Sequence, residues 1–205
     1  MTMQIIRDIE QGSKEWLQLR CGLLTMSVID CLLVDGKHSS GLGAGAFSLM
    51  NQLIGERICG EPDDSFGGNR HTDRGHELEG KGRALYEQQK DVVCDQVAII
   101  LNHGVGYSPD SLVGDIGLCE IKTKLPKFQV ELILADEVPK DHIPQCQGGL
   151  WVSEREFIDF VSYWPGMPLF VKRLYRDEIM IKKLEARSKI FYEILEKRLE
   201  AVMGA

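Results

Sequence analysis

The sequence contains no long hydrophobic run. Residues 97–101 form one of its longest apolar stretches, whereas a membrane-spanning helix needs about 20 apolar residues. Residues 1–13 have no basic region that leads into an apolar one, so we expect no secretory signal. We therefore expect a cytoplasmic protein without a membrane partner.

Closely spaced cysteines are also lacking. The six cysteines are scattered, and no two of them lie closer than ten positions apart. Structural zinc sites need CxxC or similar Cys/His spacings, so we expect no structural zinc. Free thiols in a chain without a secretory signal fit a reducing compartment, where most of them pack as small apolar side chains.

Basic residues are the minority among the charged ones. The 205-residue chain has 24 Lys and Arg against 31 Asp and Glu, which gives a net charge of −7. This balance argues against indiscriminate binding of polyanions, although a local basic groove can coexist with an acidic exterior. With 43% hydrophobic residues, the chain has the length and composition of one globular domain, spanning residues 1–205.

The first part of the chain, about residues 1–90, has the periodicity of helices. Apolar residues recur at helical spacing in four segments, near residues 13–20, 25–33, 47–58 and 71–89. Ser13 is placed to cap the first of these helices, and Thr25 or Ser27 to cap the second.

The periodicity then changes to that of strands. Residues 92–101 form a β-branched run that we expect to be one strand, in the same sheet as strands at 111–114 and 117–122. The sheet is expected over about residues 91–176, and a long amphipathic helix over about 177–203. The prediction is an α/β (α+β) fold with a central mixed sheet flanked by helices.

The strongest chemical pattern runs from Asp110 to Lys122. Glu120 and Lys122 lie two positions apart on a predicted strand, so their side chains point to the same face. A hairpin after the apolar run would bring Asp110 to the same end of the sheet. Two carboxylates there suit Mg²⁺, and the lysine can orient or deprotonate a water and neutralise a phosphate. On spacing alone, an Asp110 turn cap and a solvated Glu120–Lys122 strand face explain the pattern equally well.

The pattern resembles the PD-(D/E)xK nuclease signature, and its surroundings resemble the lambda-exonuclease (YqaJ-type) viral recombinase family. Matching blocks occur in the same order over about residues 9–153. They are Glu10-Gln11-Gly12 with Trp16, Leu19 and Arg20; Gly22 with Thr25 and Ser27; Arg74-Gly75 with Glu79; Ser108-Pro109-Asp110-Ser111-Leu112; Glu120-Ile121-Lys122; and Gln145-x-Gln147 with Leu150-Trp151.

The resemblance implies a restriction-endonuclease-like core and a catalytic centre. Asp110, Glu120, Glu79 and the backbone carbonyl of Ile121 would hold Mg²⁺, with Mn²⁺ as a substitute. Lys122 would act on the attacking water, and Gln145 would help to position that water. Glu79 has an alternative structural role as the i,i+4 partner of Arg83.

The resemblance also implies a site for the 5′-phosphate of DNA, centred on Arg20. Ser27, Thr25 and Ser108 would add hydrogen bonds to this phosphate, because a guanidinium and hydroxyl groups suit a phosphate. Two further cations, Arg70 and Arg74, are candidates for phosphate contacts along the strand. The structural alternative for Arg20 is a cation at the end of a helix, where it favours the helix dipole.

The activity implied by the family is a 5′→3′ exonuclease that degrades one strand of linear duplex DNA and leaves a 3′ overhang. A homotrimeric ring of about 69 kDa, three times 23.1 kDa, is implied as well. The partners would be double-stranded DNA ends and a single-strand annealing recombinase, in a bacterial cell that carries a phage or prophage. Two alternatives remain at this point, an endonuclease of resolvase or restriction type and a non-catalytic DNA-end-binding module.

Overall fold

The computed structural model describes residues 2–63 and 70–205, with side chains in its third helix described from residue 77 onward. The helices are α1 (Lys14–Arg20), a 3₁₀ helix (Met26–Leu33), α2 (Ala44–Cys59), α3 (Arg70–Lys90), α4 (Pro126–Ala135), α5 (Ile143–Ser153) and α6 (Glu178–Met203). The strands are β1 (Gln4–Ile6), β2 (Cys94–Asp95), β3 (Ile99–Asn102), β4 (Val105–Tyr107), β5 (Ser111–Val113), β6 (Gly117–Lys122), β7 (Phe157–Ser162) and β8 (Phe170–Tyr175).

A five-stranded mixed sheet, in the order β2-β5-β6-β7-β8, lies at the centre of the fold. Its central pair, β6 and β7, is parallel, while the other pairs are antiparallel. Parallel neighbours need a long crossover, and α4 and α5 supply it. The predicted mixed sheet flanked by helices is therefore confirmed.

A second, three-stranded sheet of order β1-β3-β4 was not predicted. The apolar run at residues 92–101 is divided between the two sheets, so the prediction of one strand in one sheet is wrong. Its first part pairs with β5, and its last part pairs with β1 and β4. Between them the chain turns at Val97 and Ala98, which are buried and hydrogen-bonded to the N-terminal segment. Strand β1 is only three residues long, too short to show a periodicity of its own.

The side-chain cap predicted for α1 is present, while the one predicted for the next helix is not. The Ser13 hydroxyl accepts a hydrogen bond from the backbone N–H of Trp16, as the predicted cap requires. Thr25 lies at the cap position of the 3₁₀ helix but makes no side-chain capping bond. The hydroxyls of Thr25 and Ser27 turn instead toward Arg20. The capping pattern thus identified where the 3₁₀ helix begins. It did not predict that the two hydroxyls accept hydrogen bonds from Arg20 instead of capping the helix.

Helix α6 closes the core on the outer side of α2 and the 3₁₀ helix. Leu184, Phe191 and Leu195 are completely buried along one face of this helix, as its amphipathic pattern predicts. Its remaining positions are rich in charged residues. None of the helices in the described part of the chain is both long and apolar enough to cross a membrane.

Helix α5 lies in close contact with the 3₁₀ helix and β4 because two of its residues are glycines. A methyl group on Gly148 would approach Met26 Sδ to 2.5 Å, and one on Gly149 would approach Tyr107 Cζ to 2.6 Å. Tyr107 is buried and belongs to β4. The close approach of α5 therefore sets the position of Tyr107 as well as that of the helix itself.

We predict that Gly149→Ala destabilises the protein by about 1–3 kcal/mol, because the added methyl group overpacks the contact with Tyr107. The matched control is Gly55→Ala in α2, where an added methyl group meets nothing within 4 Å. This control should stabilise the protein by about 0.5–1 kcal/mol through the helix preference of alanine. Urea denaturation measures both free energies of unfolding, and an unchanged Gly149→Ala midpoint would contradict the packing argument.

Candidate active site

The loop between β4 and β5 brings Asp110 to the C-terminal end of β6. One carboxylate oxygen of Asp110 accepts a hydrogen bond from the backbone N–H of Ile121. Ile121 lies between Glu120 and Lys122 on β6, so Asp110 meets these two residues at the same end of the strand. The hairpin predicted from the sequence therefore exists, and it places the paired acids and the lysine together.

Glu120 is a buried carboxylate that accepts hydrogen bonds from three side chains of this site. Only 2% of its surface is exposed. One carboxylate oxygen accepts a hydrogen bond from the Tyr107 hydroxyl at 2.9 Å. The other accepts from Lys122 Nζ at 2.7 Å and from Gln145 Nε2 at 2.5 Å. Strand β4, strand β6 and helix α5 thus each place a donor on one buried carboxylate.

Glu79 approaches the site from helix α3, and Arg83 ties it to the loop of Asp110. A guanidinium nitrogen of Arg83 donates to Glu79 at 2.5 Å and to the backbone carbonyl of Asp110 at 3.3 Å. The Nε of Arg83 donates to the Ser111 hydroxyl at 2.9 Å. The i,i+4 pair considered from the sequence is present, but it is partly buried and joined to the Asp110 loop. Glu79 therefore forms the ion pair with Arg83 and also lies close to the acids of this site.

The electrostatics of the site are those of a crowded acidic cluster. Burial, followed by the negative charges of Glu120 and Glu79, raises the pKa of Asp110 well above its usual range. Lys122 and the N–H of Ile121 act in the opposite direction. The pKa of Lys122 is lowered by burial, but Glu120 and Asp110 outweigh this effect and raise it overall, so its ammonium is charged. The cation is held in place by the carboxylates that it neutralises.

The chemistry of these donors fits a hard divalent cation. The side chains are carboxylates, and Mg²⁺ takes one or two carboxylates together with waters and phosphate oxygens. The crowded, buried acids around Asp110 are the environment that an added cation stabilises. Among the described side chains, those of residues 2–63 and 77–205, no group of three His, Cys, Asp or Glu forms a ready metal cage. The assignment of Asp110, Glu120, Glu79 and the Ile121 carbonyl as ligands therefore stays a prediction.

A second polar cluster surrounds Arg20 at the end of α1. Its guanidinium nitrogens donate to the hydroxyls of Ser27 at 3.1 Å, Thr25 at 3.3 Å and Ser108 at 3.4 Å. The guanidinium also lies over the ring of Trp16, 4.2 Å from the ring centroid. All four residues predicted around the 5′-phosphate are thus in one place, on an aromatic platform that the sequence did not reveal.

Burial lowers the pKa of Arg20 to about 10, while the negative charge of Glu56 opposes this effect. The guanidinium is therefore still charged at neutral pH. We refer to Arg20, Thr25, Ser27 and Ser108 as the Arg20 pocket. A charged fork with three hydroxyls around it is suited to a phosphate group.

The Arg20 pocket and the acidic cluster are joined by the short stretch Ser108-Pro109-Asp110. The Trp16 indole N–H donates to the Ser108 hydroxyl at 3.1 Å, and the Gln11 side chain donates to the Pro109 carbonyl at 2.8 Å. The same Gln11 nitrogen also donates to the Val97 carbonyl at 2.8 Å. A cleft of about 480 Å³ opens beside Gln11, with Asp110 in its wall. The two clusters therefore lie at the two ends of one short loop, which Trp16 and Gln11 hold by hydrogen bonds.

Several contributors to the site were missed from the sequence. Tyr107, Arg83 and Gln11 were given no catalytic role, since a tyrosine, an arginine and a glutamine alone carry no pattern of catalysis. Gln11 did lie within a block that resembles the family, which was the available signal. The side chains of Arg70 and Arg74, predicted to contact phosphates, lie outside the described residues.

Comparison with known proteins places this fold and this site in context. Residues 15–156 match the model of the YqaJ-like viral recombinase domain. A comparison with curated protein sequences gave no match. An alkaline exonuclease, LHK-Exo from Laribacter hongkongensis, has 30% sequence identity and a TM-score of 0.82, over 93% of this chain and 96% of that one. It has also been solved in complex with dAMP, with the same similarity.

A phage-related exonuclease from Haemophilus somnus 129PT is more distant, with 16% identity and a TM-score of 0.67, over 88% of this chain and 96% of that one. At this identity the likeness shows the fold alone. The family match covers well over half of the chain, and the LHK-Exo match extends over nearly all of it. The chain therefore belongs to the YqaJ-like viral recombinase family and has the fold of a lambda-exonuclease-like nuclease.

Proposed function

We propose that this protein is a metal-dependent 5′→3′ exonuclease that degrades one strand of linear double-stranded DNA to mononucleotides and leaves a 3′ overhang. The observation that carries this proposal is the loop Ser108-Pro109-Asp110, which joins the Arg20 pocket to the acidic cluster. A terminal phosphate bound at Arg20 would leave the next phosphodiester near Asp110. An enzyme that cuts within a strand has no use for a terminal-phosphate pocket.

Each residue of the catalytic centre has a role in this proposal. A divalent cation, Mg²⁺ or Mn²⁺ in its place, held by Asp110, Glu120, Glu79 and the carbonyl of Ile121 would lower the pKa of a bound water and stabilise charge on the phosphate. Lys122 donates hydrogen bonds to the attacking water or a phosphate oxygen. Gln145 helps to position that water, and its bond to Glu120 fixes its side chain.

The proposed cleavage is consistent with repeated action on one strand. The oxygen of water forms a bond to phosphorus, the bond from phosphorus to the 3′ oxygen breaks, and the 3′ oxygen takes a proton. The products are a 5′-mononucleotide and a strand with a new 5′-phosphate, which is again a ligand for the Arg20 pocket. The relative solved with dAMP was bound to a mononucleotide of the kind that this cleavage releases.

The remaining parts of the proposal rest on the family. A homotrimeric ring around the duplex would hold an acidic chain on DNA by enclosure, with basic side chains inside and the net charge of −7 mostly outside. The overhang would pass to a single-strand annealing recombinase. The setting would be the cytoplasm of a bacterium that carries a phage or prophage.

The test of this function uses linear duplex DNA labelled at both ends of one strand, together with a covalently closed plasmid, in Mg²⁺. We expect release of 5′-terminal mononucleotides from linear DNA and no cleavage of the plasmid. Lys122→Ala should lower the rate by about 100-fold to 10,000-fold, because a group that acts on the attacking water is lost. Internal fragments or a nicked plasmid would instead indicate an endonuclease, and binding without cleavage an end-binding module.

The matched control for Lys122→Ala is Lys172→Ala. Lys172 forms a lysine–carboxylate pair of similar length, 2.8 Å to Asp136, on the surface of β8. Its loss should leave the rate unchanged. An equal loss of rate in both variants would mean that Lys122 only supports the fold.

A second prediction concerns Arg20. Wild-type protein should prefer 5′-phosphorylated over 5′-hydroxyl ends, and Arg20→Ala should abolish this preference by slowing cleavage of phosphorylated ends about 10-fold to 100-fold. The control is Arg198→Ala, because Arg198 also lies over an aromatic ring, Phe47, at 4.8 Å and donates to a neutral side chain. This variant should keep the preference. Equal losses on both kinds of end in Arg20→Ala would refute the pocket.

A further inference from the structure

Lys124, which follows β6 closely, is held by a neutral acceptor. Its Nζ lies 2.7 Å from the Nε2 of His142. Burial, and then the positive charges of Lys124 and Lys122, lowers the pKa of His142 to about 4. The imidazole is therefore uncharged at neutral pH, and its Nε2 accepts a hydrogen bond from the Lys124 ammonium.

Lys124 differs from Lys122 in its hydrogen-bond partner, which is an imidazole and not a carboxylate. Lys122 and Lys172 are each within 2.8 Å of a carboxylate oxygen. In the described part of the chain, Lys124 has no ion pair of this kind, although it is half-buried and fixed by His142. An ammonium has three donors, of which His142 takes one. The carboxylate of Asp141 lies 3.8 Å from the same His142 nitrogen, but it forms no ion pair with Lys124. Lys124 thus has donors left for another acceptor.

Lys124 and His142 are each close in sequence to a residue of the catalytic centre. His142 is the residue that precedes α5, one turn before Gln145, and its ring packs against Phe160 at 5.3 Å between centroids. Lys124 comes two residues after Lys122 at the end of β6. The position of the ammonium is therefore set by the same two elements that hold Glu120.

Lys124 also faces open space. It lines a cleft of about 620 Å³ between the loop after β6 and the loop after α4. Phe128 and Leu125, both about half exposed, lie along the same cleft with Lys140. The carboxylates of Glu131, Glu137 and Asp141 line this cleft as well. A phosphate would therefore be attracted by the fixed cation of Lys124 and not by the cleft as a whole, while the exposed ring of Phe128 offers a surface on which a base can stack.

We propose that Lys124, positioned by His142, binds a backbone phosphate of the DNA strand next to the phosphate that is cut. This inference deepens the proposed function and rests on it, since it adds a substrate contact to the same site. The physical reason for the neutral partner is that a carboxylate there would cancel the charge that attracts the phosphate.

The test measures binding of a 5′-phosphorylated duplex by fluorescence anisotropy, at several KCl concentrations, with Ca²⁺ in place of Mg²⁺. Lys124→Ala should weaken binding about tenfold at low salt and reduce the slope of log affinity against log salt by about one. The matched control is Lys127→Ala, three residues further along and over the ring of Phe128 at 5.5 Å. An equal change in both variants would overturn the proposal in favour of a general charge effect.

Variants of His142 test whether this residue positions the Lys124 ammonium or only stabilises the fold. His142→Gln keeps a neutral acceptor, so binding and salt slope should stay near the wild-type values. His142→Glu offers a carboxylate to Lys124 and should weaken binding as much as Lys124→Ala does. Thermal melting of each variant checks that α5 is intact. Strong binding by a folded His142→Glu variant would overturn the assignment.

The outcomes also separate this contact from the proposed function. If the wild type releases mononucleotides but Lys124→Ala keeps its salt slope, the exonuclease stands and the Lys124 contact is wrong. If the wild type cuts no DNA but Lys124→Ala binds DNA more weakly with the lower slope, the contact stands and the exonuclease proposal fails.

Discussion

The carboxylate of Glu120 is removed almost entirely from water, and a buried charge is tolerated only when donors surround it. Tyr107, Lys122 and Gln145 provide these donors from β4, β6 and α5. The packing that brings these elements together is therefore tied to the charge at its centre. Gly149 of α5 is needed for the same arrangement, because a larger residue there would displace Tyr107, which is one of the three donors.

The second constraint is the position of the loop Ser108-Pro109-Asp110. Hydrogen bonds from Trp16 and Gln11 hold this loop from the N-terminal segment, and the N–H of Ile121 holds it from the sheet. The Arg20 pocket and the acidic cluster thus share one connection, which is held by hydrogen bonds at both ends. This geometry gives a physical reason why a terminal phosphate and a cleavable bond would be recognised together, which is the basis of the proposed function.

Much of this arrangement could be predicted from local patterns. The alternation around Glu120 placed it with Lys122 on one face, and the periodicity after Asp177 gave helix α6. What could not be predicted depends on contacts between distant parts of the chain. Strand β1 exists because it pairs with residues 99–101, and Tyr107 is a donor because the fold brings its hydroxyl to Glu120 of β6. Helix α3 shows the same limit, since its Leu85 is 41% exposed while Tyr86, the next residue, is completely buried.

The central claim is that Asp110, Glu120 and Glu79 form one site for a divalent cation. Calorimetric titration of the intact protein with Mn²⁺, in the absence of DNA, tests it most directly. The account predicts binding by the wild type that Mg²⁺ competes away, and binding weakened by more than about tenfold in Asp110→Asn. The surface variant Asp136→Asn, which loses the partner of Lys172, should bind like the wild type. Equal Mn²⁺ binding by wild type and Asp110→Asn would contradict the account.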